Sequence, residues 1–151
     1  MTTPRRHALE ALRHYALSYQ ESTRQLARHM DLPTVDGTAL GEIIWAEYDG
    51  SPLSPSRLAS RVDLTSGATN ALINRLEERG LASRSRESGD RRIVTLRSTE
   101  AARERAAVFL DPSTAALEAA LDGYDDATLD TVGSVLTRLA AVLPGAGDEC
   151  R

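Results

Sequence analysis

The chain has 151 residues, 41% hydrophobic and 26% charged, which suits a single globular domain and excludes disordered or fibrous material. No stretch approaches the ~20 consecutive apolar residues of a membrane span. The formal charge of −4 looks wrong for a nucleic-acid binder, but it hides a segregation. Residues 51–105 hold 11 Arg against 7 acids, a local +4, whereas residues 1–50 carry −2 and residues 106–151 carry −6. Charge acts locally, because the Debye length is ~8–10 Å at physiological salt. A basic middle between acidic ends therefore suits an anionic partner docking on one face. All 18 basic residues are arginine, which reads as coding bias. Cys150 is the single cysteine, so neither an intrachain disulfide nor a cysteine metal cluster is expected. The opening Met-Thr-Thr-Pro-Arg-Arg-His leads into a charged amphipathic pattern without an apolar signal core, and the expectation is a cytoplasmic protein with no membrane partner.

From Pro4 to His29, Ala8, Leu9, Leu12, Tyr15, Ala16, Tyr19 and Leu26 recur at steps of three and four, which predicts a long first helix. Met30-Asp31-Leu32-Pro33 breaks it. Asp36 is the expected cap of a second helix carrying Leu40, Ile43, Ile44 and Trp45, closed by Asp49-Gly50-Ser51-Pro52. Ser54-Pro55 opens a short third helix through Leu58, Ala59 and Val62. After a tight connection at Asp63-Leu64, a fourth helix runs from Thr65 or Ser66 to Arg79 and stops at Gly80. Residues 81–86 and 92–96 are β-compatible runs around the turn residues Glu87-Ser88-Gly89-Asp90-Arg91, a hairpin. Ser98-Thr99-Glu100 starts a fifth helix, Leu110-Asp111-Pro112 is expected to interrupt it, and Asp125 or Asp126 opens the last one. The last helix presents Leu129, Val132, Leu136, Leu139 and Leu143.

Two short helices, a tight turn and a basic hairpin follow the order of a winged helix-turn-helix. On the fourth helix, a buried face centred on Leu72 with Ala68 and Leu76 leaves Ser66, Asn70 and Asn74 outward, Gly67 near them and Thr69 and Arg75 on the flanks. Small and amide side chains allow close approach to a groove, and an asparagine can both donate to and accept from a base edge. Arg75 and Arg79 suit phosphates. Arg84 and Arg86 alternate along the first strand, and Arg91 and Arg92 at the hairpin tip suit a narrow minor groove.

The run from Leu64 through Asn70 and Asn74 to Glu77, followed by Gly80-Leu81 and Asp90-Arg91-Arg92, resembles the MarR family of bacterial winged-helix transcription regulators. The likeness is close over residues 33–105, with one departure: Ser98-Thr99 stands where the family usually has Leu-Thr after the wing. It implies a mainly α fold with a small β-hairpin wing: an N-terminal dimerisation helix (1–32), a winged helix-turn-helix DNA-binding domain (33–98) and C-terminal dimerisation helices with a tail (99–151). It further implies a homodimer on double-stranded DNA, reading a pseudo-palindromic operator whose half-sites lie ~34–36 Å apart. Carried over by position, Ser54, Thr65, Ser66, Thr69, Asn70, Asn74, Arg75 and Arg84 would meet bases and phosphates, with Asp90, Arg91 and Arg92 at the wing. The terminal helices agree independently, because their apolar stripes exceed what one small core can cover.

Members of the family typically release DNA when a small aromatic or phenolic ligand enters a crevice beside the dimerisation helices. His14, Tyr15, Tyr19, Trp45 and Tyr48 are the side chains available for such an effector, and ordinary packing explains each of them as well. Two other switches compete. Redox sensing would rest on Cys150, which sits beside acids that oppose its ionisation. A metal-responsive regulator would need His7, Glu10 and His14 to converge, yet the two histidines lie two turns, ~10 Å, apart. No phosphate loop or catalytic constellation points to an enzyme, and no cofactor is implied. The remaining alternative is a winged-helix module that binds protein.

Overall fold

The computed structural model describes residues 3–87 and 93–143. Asp90, Arg91, Arg92 and Cys150 lie outside them. The chain divides into two compact units, Met1–Phe109 and Leu110–Arg151.

The first unit begins with helix α1 (Thr3–His29), of which only Leu26 and Ala27 are buried. Asp31 ends it in the left-handed region, at φ 53°. Helix α2 (Thr34–Tyr48) starts after Pro33, and no side chain caps it. Asp36 is therefore not the expected cap: it lies inside the first turn and is buried, because a partner on a later helix claims its carboxylate. Helices α1 and α2 touch where Ala27 meets Gly37. A Cβ at Gly37 would overlap that of Ala27 and lie 2.6 Å from its Cα, so the glycine permits the crossing.

Helix α3 (Pro55–Val62) is capped by Ser54, whose side chain accepts from the Arg57 N–H at 3.3 Å. Asp63 makes the left-handed turn, at φ 52°, into helix α4 (Ser66–Glu78), which Thr65 caps through the Ala68 N–H. Gly80, at φ 66°, releases the chain into strand β1 (Ala82–Ser85). Strand β2 (Thr95–Ser98) pairs with it antiparallel, Ala82 opposite Ser98 and Ser85 opposite Thr95. The second strand thus begins later than the β-compatible run at 92–96 suggests. Its register is set by Leu96, which is fully buried and donates its N–H to the Leu53 carbonyl at 2.7 Å. A shift by one residue would turn that leucine to solvent.

Met30, Leu40, Ile43, Leu53, Leu58, Leu72, Ile73, Leu76 and Leu96 form the core. Helix α5 (Glu100–Leu121) begins under Thr99, whose hydroxyl accepts from the Ala102 N–H at 3.1 Å and donates to the Gly80 carbonyl at 2.7 Å. The cap is therefore made by Thr99, despite the serine at position 98. The helix does not break at Pro112 as expected but continues through it. A proline inside a helix removes one hydrogen bond at a cost of ~3 kcal/mol, and the alanine-rich turns that follow favour helix.

In the second unit, helix α6 (Asp126–Ala140) is capped by Asp125, whose carboxylate accepts from the Thr128 N–H at 2.9 Å. The Thr128 hydroxyl, and after it that backbone bond, holds the Asp125 carboxyl below its ordinary range. None of this unit's described residues is buried, and Val132, Val135 and Leu136 are exposed along α6.

Candidate nucleic-acid interface

Helix α4 is anchored by Thr69, Leu72, Ile73 and Leu76, all fully buried. The buried stripe is therefore centred between Leu72 and Ile73, half a residue step from the expected position. Two expectations change. Ala68 faces solvent, and Thr69 faces the core instead of a flank. Its hydroxyl donates to the Thr65 carbonyl at 2.9 Å, which satisfies the buried oxygen and lets the methyl pack. Ser66, Gly67, Asn70, Ala71 and Asn74 form the outward face, a strip without an exposed charge.

Strand β1 lies against this helix and delivers Arg84 to it. The Arg84 guanidinium donates to Asn74 Oδ1 at 3.0 Å and to Asn70 Oδ1 at 3.3 Å. It also pairs with the Glu77 carboxylate, whose other oxygen accepts the Arg84 backbone N–H at 2.9 Å. The sequence places Arg84 among the DNA contacts; in this arrangement its charge is met by Glu77 and its donors point at the two amides.

Arg75 is also engaged. Its Nε donates to Asp36 Oδ2 at 2.9 Å and its Nη2 to Asp36 Oδ1 at 2.7 Å, a two-armed bond from α4 to α2. The hydrogen bond to Asp36 raises the Arg75 pKa further above its ordinary value. Arg79 donates to the Asp31 carbonyl at 2.7 Å, and Arg105 joins the same elbow through Asp31 Oδ2 at 2.7 Å. The arginines nearest the helix thus orient it. Ser54 and Thr65 cap the N-termini of α3 and α4, leaving amide N–H groups at both helix starts toward which an anion is attracted.

At the wing base, an open pocket of about 620 Å³ is lined by Ile44, Glu47, Tyr48, Glu87, Arg97, Ser98 and Arg103. Arg97 pairs with Glu87 and lies 3.6 Å from Glu47, and the Glu47 carboxylate accepts from the Ser98 hydroxyl. The Arg97 hydrogen bond pulls the Glu87 carboxyl below its ordinary range. Of the aromatic and histidine candidates, Tyr48 lines this pocket. Trp45 stacks on Tyr48 at 6.0 Å between ring centroids, whereas Tyr15 stacks on Tyr19 along α1 at 6.5 Å. Burial, then Glu42, raises the Tyr19 hydroxyl pKa. His14 is exposed. Nothing local in the sequence shows that Arg97, at a strand end, and Arg103, at a helix start, share one hollow. Among the described residues, no group of three or more His, Cys, Asp or Glu side chains could hold a metal, so His7, Glu10 and His14 do not converge within the chain. No helix there is long and apolar enough to cross a membrane.

A helix with a polar outer face, packed against α2 and α3 and flanked by an antiparallel hairpin, defines a winged helix-turn-helix protein. Residues 30–93 match the model of the MarR family. Solved structures share the fold. S. aureus MepR in its DNA-binding conformation is 16% identical, with 89% of this chain and 96% of that one covered and a TM-score of 0.64. A point mutant of S. aureus MepR bound to an oligodeoxyribonucleotide is 16% identical, with 89% and 96% covered and a TM-score of 0.53. The regulator BldR from Sulfolobus solfataricus is 24% identical, with 91% and 99% covered and a TM-score of 0.55. No curated protein sequence matches the chain.

Proposed function

We propose that this protein is a homodimeric transcription regulator that reads a pseudo-palindromic operator with helix α4, represses from it, and lets go when a small effector binds. The observation that carries the reading is the face of α4. It is uncharged, built of small residues around Asn70 and Asn74, and rigidly seated by four buried side chains on its other side. A helix that only faced water would carry long charged residues there, whereas a groove reader needs short side chains with hydrogen-bonding amides. The structural likeness to a MepR bound to DNA is consistent with this use of the fold. For the effector, the pocket beside Tyr48 supplies an aromatic ring, two guanidinium groups and the carboxylates of Glu47 and Glu87, a setting that suits a small polar aromatic molecule.

Selection of duplexes from a random pool, followed by binding titrations across salt, tests the reading. The expected result is an enriched inverted repeat whose affinity falls by ~0.9 log units per log unit of salt for each phosphate neutralised. Weak binding indifferent to sequence, unchanged in Asn70→Ala and Asn74→Ala, would instead identify a protein-binding winged helix.

A further inference from the structure

The contact between strand β1 and helix α4 carries a consequence for base preference, given that α4 reads DNA as proposed above. An asparagine recognises adenine by using both ends of its amide, the oxygen accepting from N6 and the nitrogen donating to N7. Here Asn74 Oδ1 lies 3.0 Å and Asn70 Oδ1 3.3 Å from the Arg84 guanidinium. A guanidinium has only donors, so both amides must turn their oxygens toward it and their NH2 groups away. Glu77 fixes this state: one carboxylate oxygen takes the Arg84 side chain, and the other takes its backbone N–H at 2.9 Å. The arginine therefore cannot swing to a phosphate without leaving that carboxylate. An isolated surface pair would hold little, but four side chains tied to one strand N–H lose less freedom for each bond made.

We infer that Arg84 is a positioning residue for specificity: by drawing the carbonyl oxygens of Asn70 and Asn74 toward strand β1, it leaves both amides presenting their NH2 groups outward. Such a pair suits acceptor edges, guanine O6 and N7 or thymine O4. It forfeits the two-point adenine contact and is repelled by the cytosine N4 amine.

The test uses the full chain on duplexes selected from a random pool, with the bases read by each amide located as the positions that lose preference in Asn70→Ala and Asn74→Ala. The wild type is expected to hold guanine or thymine there. Arg84→Met, which keeps the stem and removes the donors, should raise adenine relative to guanine by roughly tenfold. Arg84→Lys, also donor-only, should retain the wild-type preference. A measurement independent of any arginine variant replaces a selected guanine by 7-deazaguanine, or a selected thymine by 4-thiothymine, and should weaken the wild type by roughly fivefold or more. Adenine selected by the wild type at these positions overturns the inference. So does a folded Arg84→Met variant with the wild-type preference, or indifference to the analogue. A pool with no enriched sequence overturns the DNA reading itself, which separates the two failures.

Discussion

Arg75 on helix α4 clasps Asp36 on helix α2 with both arms of its guanidinium, at 2.9 and 2.7 Å. The two partners are unequal: the aspartate is buried, with its side chain 4% exposed, while the arginine side chain is 51% exposed. The bond therefore acts mainly as cover for a carboxylate already withdrawn from water, and it fixes the rotation of α4 against the first turn of α2.

That inequality predicts an asymmetry between the two single substitutions. Arg75→Met strands the Asp36 carboxylate and should cost about 1–3 kcal/mol, the usual penalty for a buried acceptor left without its donor. Asp36→Asn leaves an exposed arginine that water can solvate and should cost less. The pair Asp36→Leu with Arg75→Met should recover part of the loss. Urea unfolding of the three variants checks the order; a more damaging Asp36→Asn would show that the guanidinium needs the carboxylate more than the reverse.

Gly37 makes a second, sharper prediction. Alanine there would overlap Ala27 at the crossing of α1 and α2, where helix backbone cannot yield without moving. Gly37→Ala should destabilise by about 1–3 kcal/mol, the common cost of overpacking. Gly41→Ala is the control, since its Cβ would lie at an ordinary 3.5 Å from Leu26 Cδ2. Equal midpoints for the two variants in denaturant would refute the tight crossing.

Asn70 and Asn74 are exposed and lie opposite the buried stripe. Each alanine substitution should leave the melting temperature within a degree or two and weaken operator binding by ~1–3 kcal/mol per half-site. Fluorescence anisotropy beside a thermal melt reads both quantities. A drop in melting temperature with unchanged DNA affinity would make these residues structural.

The Glu87–Arg97 pair at the wing base gives a pH dependence. The Arg97 hydrogen bond holds the Glu87 carboxyl below its unfolded value, which for a free glutamate is ~4.3. A lowered folded pKa means stability that is fully present above the unfolded value and lost as pH falls through the folded one. Wild type should therefore exceed Glu87→Gln in stability at neutral pH, and the gap should close below about pH 4.3. Parallel stability profiles down to acid would remove the pair from the account.

Helix α6 leaves Val132, Val135 and Leu136 exposed on the single chain. If the partner that covers them is a second copy, Val135→Glu with Leu136→Glu should shift the sedimentation mass toward the monomer and weaken operator binding together. A dimer that survives both charges would place the interface elsewhere.

Much of this molecule can be read before folding, because it is written in neighbours. The caps Ser54, Thr65, Thr99 and Asp125, the stop at Gly80 and the apolar periods of the helices are local, each depending on residues within a turn or two. The outward placement of Asn70 and Asn74 follows from the same periodicity. Only tertiary structure decided what the arginines do. Arg75 meets a carboxylate 39 positions earlier, and Arg84 meets amides 10 and 14 positions earlier. It also took Thr69 inward, delayed the second strand until Leu96 reached the core, and put Tyr48, Arg97 and Arg103 around one hollow. Propensity and capping act along the chain, whereas the partner of a long charged side chain is set by whatever packing brings within a few ångströms of it.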